Sequence, residues 1–403
     1  MVDVKSKALN QTISVDRIIW KINSKITGPT VIFIGGMHGN ETAGVFALKH
    51  VYKNIQKDKV KGNIYAISGN LSALKQNQRF IHSDLNRMWT YELLKNLETK
   101  TSLSAEEEEQ VVLYELLKNI INDHSGPFYF IDLHTTSSQS LPFITINDAL
   151  INRNFSRQFP VPIVLGIEEY LEGPLLSYIN TLGYVCLGFE SGQHDDINAV
   201  TNGISFVNLA LVATASIDKN DIDDLLSHYQ QLNQNTKHLD EVFEVTHLYR
   251  IYNGEDFKMR PNFSSFQKIK KGTILAESDG RDVAAPDSAR LFMPLYQNRG
   301  KEGFFIIKRI APFFMGLSSL LRRWRLDNLL VLFPGISWDD KEKGVLKVNL
   351  KITRFFAKQL FHLFGYRNKQ VDSTHLRLYN RERVSKIDSY KELPWFKGRI
   401  SMN

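Results

Sequence analysis

A single cysteine in 403 residues, Cys186, removes two classes of architecture at once. Without a second thiol there is no internal disulfide framework, and no cysteine-rich zinc site can be assembled. Its apolar setting, between Val185 and Leu187, predicts a small buried core side chain. Long hydrophobic runs are lacking too. No stretch approaches the roughly 18 residues of a membrane span, and Met1 to Lys7 has no apolar segment of the secretory kind. A cytoplasmic protein is therefore expected. Low-complexity tracts and internal repeats are also missing. What is present, 43% hydrophobic and 23% charged residues, is the composition of an ordinary globular chain long enough for two or three domains.

The net charge of +7 is unevenly spread. Residues 311–403 carry 18 Lys and Arg against 8 Asp and Glu, whereas residues 1–310 carry 32 against 35. The basicity belongs to the tail. An acidic run from Glu106 to Glu109, following Ser104, reads as a solvated helix amino terminus favoured by the helix dipole.

Over the first two hundred residues strand-like and helix-like segments alternate. Strands are expected near Ile18 to Ile22, Thr30 to Ile34, Gly62 to Ile67, Phe128 to Leu133, Phe143 to Ile146, Ile163 to Leu165 and Tyr184 to Phe189. Helices are expected from Glu41 to Gln56, Ala105 to Asn122 and Leu175 to Leu182. Such βα alternation implies a largely parallel or mixed sheet covered by helices on both faces, with chemistry along its carboxyl edge.

Four stretches sit where that edge is expected. In Gly35-Gly36-Met37-His38-Gly39-Asn40-Glu41 the glycines end a buried strand in a tight turn, and His38 and Glu41 stand three apart at a helix start, spaced to reach one metal ion. In Asp132-Leu133-His134 the strand period puts Asp132 and His134 on one side, so His134 supplies the missing ligand while Asp132 steadies a neighbouring group. Two histidines and one carboxylate leave a position for water, the pattern of a catalytic zinc. Glu190, ending an apolar strand between Gly188 and Gly192, is a candidate general base, and His194, Asp195 and Asp196 are alternative ligands of lower rank. Finally, Asn77 to Arg87 brings Arg79, Asn86 and Arg87 together, guanidinium forks suited to a carboxylate. An acidic substrate would fit them; a local Asp84–Arg87 ion pair is the competing reading.

Together these segments, in this order from about residue 31 to 192, resemble the succinylglutamate desuccinylase/aspartoacylase family, which has a zinc carboxypeptidase-like fold. The resemblance implies that His38, Glu41 and His134 bind one zinc per chain, that Glu190 is the general base and acid, and that Arg79, Asn86 and Arg87 hold a substrate carboxylate or the polarised carbonyl. There are departures. Leu171 to Phe189 contains no arginine where aspartoacylase-like members carry a substrate-binding one, and Asn70 is followed by Leu71 instead of proline. The tyrosine that aspartoacylases contribute from their second domain has no assignable counterpart.

Helices are expected at Val207 to Ile217 and Asp221 to Gln234, closing a catalytic domain over residues 1–243. From 244 to 310 short segments separated by Gly, Asp and Pro predict a small all-β module that resembles the family's barrel-sandwich cap. In the extension, 311–403, Ile352, Phe355, Phe356, Gln359, Leu360, Leu363 and Phe364 would share one face of a helix from Leu350 to Tyr366, flanked by Lys351, Arg354 and Lys358. Such a face suits an anionic membrane surface, but packing on its own domain or on a second copy of the chain is favoured. Nucleic acid ranks lowest.

The expected fold is α/β, a mixed sheet with helices on both faces, followed by the small β module and a basic, partly helical extension. The expected activity is zinc-dependent hydrolysis of the amide in an N-acyl amino acid or similar small acidic amide. A zinc carboxypeptidase acting on peptides or cell-wall fragments, and a non-catalytic binding or membrane-associated protein, are the competing readings.

Overall fold

The computed structural model describes residues 1–97, 99–237, 239–353, 358–370 and 375–400. Its centre is a mixed sheet. The strands are β1 (Ile18–Asn23), β2 (Thr30–Gly35), β3 (Asn63–Ser68), β4 (Phe128–Thr136), β5 (Phe143–Ile146), β6 (Ile163–Leu165), β7 (Val185–Gln193), β8 (Val242–Arg250), β9 (Lys268–Ile269), β10 (Ala289–Phe292) and β11 (Glu302–Arg309). They lie in the order β9-β10-β11-β8-β6-β5-β7-β4-β2-β3-β1. Strands β3, β2, β4 and β7 run parallel, so the carboxyl ends of β2, β4 and β7 are neighbours.

All six residues of β2 are buried, because the sheet is covered on both faces. Alternation divides them. Val31 and Phe33 join Tyr129, Ile131 and Leu133 on one side, while Ile32 and Ile34 join Phe130 and Cys186 on the other. Cys186 is thus a core residue, and burial pushes its thiol up to about 12. Helices α1 (Ala43–Asn54) and α4 (Ile197–Ala213) cover the first side; α2 (Ala105–Asp123) and α3 (Leu175–Thr181) cover the second. Two elements that the pattern does not announce are an amino-terminal hairpin of Val2–Ser6 with Gln11–Val15 and a short helix Leu71–Gln76.

The β module is not a separate layer. Strand β8 pairs in parallel with β6 over Val242 to Glu244 and antiparallel with β11, carrying the main sheet into the second region. A further sheet, Phe257–Met259, Ile274–Ser278 and Arg281–Ala284, stands beside it.

The extension is partly helical, as expected, and adds a sheet that the sequence does not announce. Helix α5 (Pro312–Arg323) is followed by an antiparallel sheet of Ile336–Asp340, Val345–Asn349, Tyr366–Gln370 and His375–Asn380. The helix does not begin at Leu350 as expected: Leu350 to Ile352 lie in a turn, Ile352 is exposed, and among the described residues the helix covers Lys358–Leu363. Arg354, Phe355 and Phe356 lie outside the described residues. Apolar burial comes from residues further on. Tyr390 and Trp395 insert beneath the main sheet, where Trp395 Nε1 donates to Tyr129 Oη at 2.9 Å and Val185 N donates to Tyr390 Oη at 3.1 Å. Among the described residues no helix is long and apolar enough to cross a membrane.

Candidate metal centre

Gly36, at φ 72°, ends β2 in a left-handed turn that a Cβ would block, since it would stand 2.8 Å from the Leu74 side chain. The chain then loops through His38 to Glu41, whose N–H donates to the His38 carbonyl at 3.1 Å, and the helix begins only at Ala43. A turn, and not the expected helical turn, sets the spacing of the two ligands.

His38 Nδ1 lies 2.8 Å from Glu41 Oε1, and His134 Nδ1 lies 3.0 Å from Glu41 Oε2. One nitrogen of each ring and a Glu41 oxygen all lie within 4.8 Å of one another, and all three residues are buried. Each outward Nε2 faces a carboxylate: His38 meets Asp84 at 3.0 Å, and His134 meets Asp132 at 2.7 Å. A carboxylate behind each imidazole orients the ring so that Nδ1 turns inward, toward Glu41. The set of two imidazoles and one carboxylate fits a zinc ion with a position left for water or substrate.

Burial by itself would raise the Glu41 and Asp84 carboxyls. For Glu41, His38 and His134 outweigh that; for Asp84, His38 with Arg79 and Arg87 does; both are held well below the usual carboxylate range. Burial likewise opposes charge on His134, but Asp132 and Glu41 raise it well above an ordinary imidazole. A metal ion bound there would have to displace that proton from His134, so metal binding and proton release are coupled at this site.

Glu190 lies in β7, in register with His134 of β4. Burial, together with Glu41 and Asp132, pushes its carboxyl up to about 8, against the opposing pull of His134 and Arg79. Its Oε2 is buried without a hydrogen-bond partner. A carboxyl so placed exchanges protons near neutral pH.

The two arginines have different partners from those the sequence suggests. Arg79 donates to Glu41 Oε1 at 3.2 Å and to Asp84 Oδ2 at 3.0 Å, so Asp84 pairs with Arg79 and His38, not with Arg87. Arg87 instead donates through Nε and Nη2 to Glu302 of β11, at 3.3 and 3.2 Å. Asn86 Oδ1 accepts from Leu175 N at 2.9 Å and tethers the start of α3 to the loop. All three line one cleft with His38, Glu41, His134 and Glu190.

Of the alternative ligands, His194 reaches the cleft but has Nδ1 at 2.7 Å from Thr135 Oγ1, and burial lowers its pKa. Asp195 is exposed beside Lys7, and Asp196 caps α4. None of the three joins the His38, Glu41 and His134 group.

The acidic run is a correction. Glu106 and Glu109 are buried, not solvated. Glu106 accepts from the N–H groups of Ile81, His82 and Ser83 and so pins the loop that carries Arg79 and Arg87. Glu109 accepts from Ser72 and pairs with Arg17. Residues of the β module also went unseen in the sequence. Met293, Leu295, Gln297 and Glu302 line the cleft, and Asn40 Nδ2 donates to Gln297 Oε1 at 2.9 Å. Only the tight clustering of turn residues between 293 and 303 hints at a loop there.

Residues 27–200 match the family model of the succinylglutamate desuccinylase/aspartoacylase catalytic domain. A probable aspartoacylase of Acaryochloris marina is 28% identical over 163 residues, 38% of this chain and 52% of that protein, so the match spans about half of the relative's length. An N-acyl-aromatic-L-amino acid amidohydrolase (carboxylate-forming) of Xenopus laevis is 24% identical over 301 residues, 70% of this chain and 92% of that one. Among solved structures, a succinylglutamate desuccinylase/aspartoacylase from Rhodobacter sphaeroides superposes with TM-score 0.54 at 15% identity, covering 71% of this chain and 87% of its own. At that identity the likeness is one of fold.

Proposed function

Since residues 27–200 carry the succinylglutamate desuccinylase/aspartoacylase catalytic domain, we propose that the protein is a zinc-dependent amidohydrolase that cleaves the amide of an N-acyl amino acid or a similar small amide bearing a carboxylate. The observation that carries the reading is the convergence of His38 Nδ1, His134 Nδ1 and the Glu41 carboxylate beside the buried Glu190. His38, Glu41 and His134 would hold the ion. When bound, zinc supplies Lewis acidity to a water and to a carbonyl oxygen.

The chain's own groups do the rest. Glu190, with a carboxyl that titrates near neutrality, takes the proton of the attacking water and returns it to the amine nitrogen as the carbon–nitrogen bond breaks. Arg79, a buried cation whose Nε has no partner, stabilises the negative charge that gathers on the carbonyl oxygen. Arg87, held against Glu302 and against its neighbour's carbonyl at Asn86, keeps donors for a substrate carboxylate.

A small substrate is favoured over a peptide. The loop after β10 lines the cleft and is tied to the catalytic domain: Tyr296 N donates to Ser137 Oγ at 3.1 Å, Asn40 Nδ2 to Gln297, and Arg299 to the carbonyl of Phe80. An extended chain would have to displace these contacts. Assaying the zinc-loaded protein by mass spectrometry against N-acetyl amino acids and against short peptides tests the reading. Hydrolysis of the first and not the second supports it, and the reverse favours a carboxypeptidase.

A further inference from the structure

Every cation that lines the cleft already has a carboxylate partner. Arg79 is held by Glu41 and Asp84, and Arg87 by Glu302. Of the other two acids of the lining, Glu190 stands beside the metal ligands, and Glu168 is paired at 3.0 Å with Arg381, which reaches it from the carboxy-terminal extension. Among the described residues no lysine and no third arginine line the cleft. Away from the metal ligands Ile146, Ile167, Leu171, Leu176, Met293 and Phe305 form an apolar part of its wall, beside the uncharged polar Thr145, Asn147 and Gln297.

Glu302 has two consequences for whatever binds. By accepting from Nε and Nη2 of Arg87 it fixes the plane of the guanidinium, while Nη1 donates to the Asn86 carbonyl at 2.9 Å. An arginine so held keeps donors for one carboxylate but brings no net charge, because Glu302 cancels it. One substrate carboxylate can be met by hydrogen bonds from this edge. A second would enter a region that holds Glu302 and in which each guanidinium of the lining already has a carboxylate partner. Like charges brought together in a cleft of low polarity repel strongly.

We infer that Glu302 is a specificity-determining residue which orients Arg87 for a single carboxylate and turns away a second, so that the substrate is an N-acyl amino acid with an uncharged, apolar side chain. The inference rests on the deacylase reading given above and narrows it. The apolar wall receives the side chain, and its burial there supplies binding energy that an aspartate or glutamate side chain would forfeit.

The test compares kcat/KM of the zinc-loaded full chain for N-acetyl-L-methionine, N-acetyl-L-leucine, N-acetyl-L-aspartate and N-acetyl-L-glutamate, before and after Glu302→Gln. The natural protein is expected to prefer the apolar pair. Glu302→Gln, which keeps an acceptor for Arg87 but removes the charge, is expected to move the ratio toward the acidic pair by about tenfold or more. A natural protein that prefers the acidic pair overturns the inference, as does a variant that loses all four activities in proportion. Should the variant fail to fold, inhibition of the natural protein by L-methionine and by L-aspartate decides: tighter inhibition by aspartate overturns it. If none of the four amides is cleaved, the deacylase reading falls, and this inference with it.

Discussion

His134 and Glu190 are direct register partners on the neighbouring parallel strands β4 and β7. Side chains paired in this way point to the same side of a sheet, so a metal ligand and a proton carrier are set side by side by backbone hydrogen bonds alone. The rigidity of two nine-residue strands, buried almost throughout, fixes their separation.

From that relationship follows a division between binding and turnover. The protein is expected to hold about one zinc per chain. His38→Ala and His134→Ala should lose most of it. Glu190→Gln should retain the metal while lowering turnover by about a hundredfold or more. Elemental analysis beside kinetic assay checks this, and undiminished hydrolysis by Glu190→Gln would end the proposed mechanism.

Glu190 also predicts how the metal-free protein responds to pH. Its carboxyl is raised from 4.5 to about 8 in the fold, so between those values the native state binds a proton that the unfolded chain has released. Stability from this group is therefore complete below the unfolded value and is lost as pH rises toward 8. Melting temperatures of the metal-free protein and of Glu190→Gln, measured from pH 5 to 9, should diverge. The natural chain is expected to decline relative to the variant as pH rises, and parallel curves would contradict the shift.

Arginine substitutions should separate the two cations. Arg87→Ala is expected chiefly to raise KM, and Arg79→Ala chiefly to lower kcat. Because Arg79 also braces Glu41 and Asp84, its loss should weaken zinc retention as well, whereas loss of Arg87 should not. Zinc content after dialysis against a mild chelator distinguishes them. Equal effects on both KM and metal would argue against these separate roles.

The extension is expected to be structural. Trp395→Ala removes a fully buried indole from beneath β4 and should destabilise by about 3–5 kcal/mol. Arg322→Ala removes the ion-pair partner of Glu382 and one of the guanidiniums on the buried Asp148, leaving Arg153 there, and should cost about 3 kcal/mol or more. Denaturant unfolding measures both. A chain ending at residue 310 should aggregate, since the surface under Tyr129 and Phe155 would be bared. A soluble, active truncation that the full chain exceeds only in binding anionic vesicles would instead favour a membrane anchor.

Several features were legible because they are local. Apolar runs at Thr30 to Ile34 and Phe128 to Leu133 give strands β2 and β4 with little change, since a run buried on both faces has few other solutions. His38, Glu41 and His134 stand at the ends of such runs and meet in one cluster. The same locality misled at Glu106 to Glu109, where four adjacent acids read as solvent-facing. Two of them are buried because partners arrive from other elements, the loop amides of 81–83 and Arg17.

The sequence by itself determined the alternating architecture and the residue types of the metal cluster, because hydrophobic period, turn glycines and ligand spacing act over a few positions. Only the tertiary structure decided which charges meet. Glu302 reaches Arg87 across 215 positions, Arg381 reaches Glu168, and Tyr390 and Trp395 fill space beneath a strand some 260 residues earlier. A charged or aromatic side chain reads the same whether solvated or buried. Its partner is chosen by packing, where the cost of an unpaired charge or an empty space is felt only once the chain has closed around it.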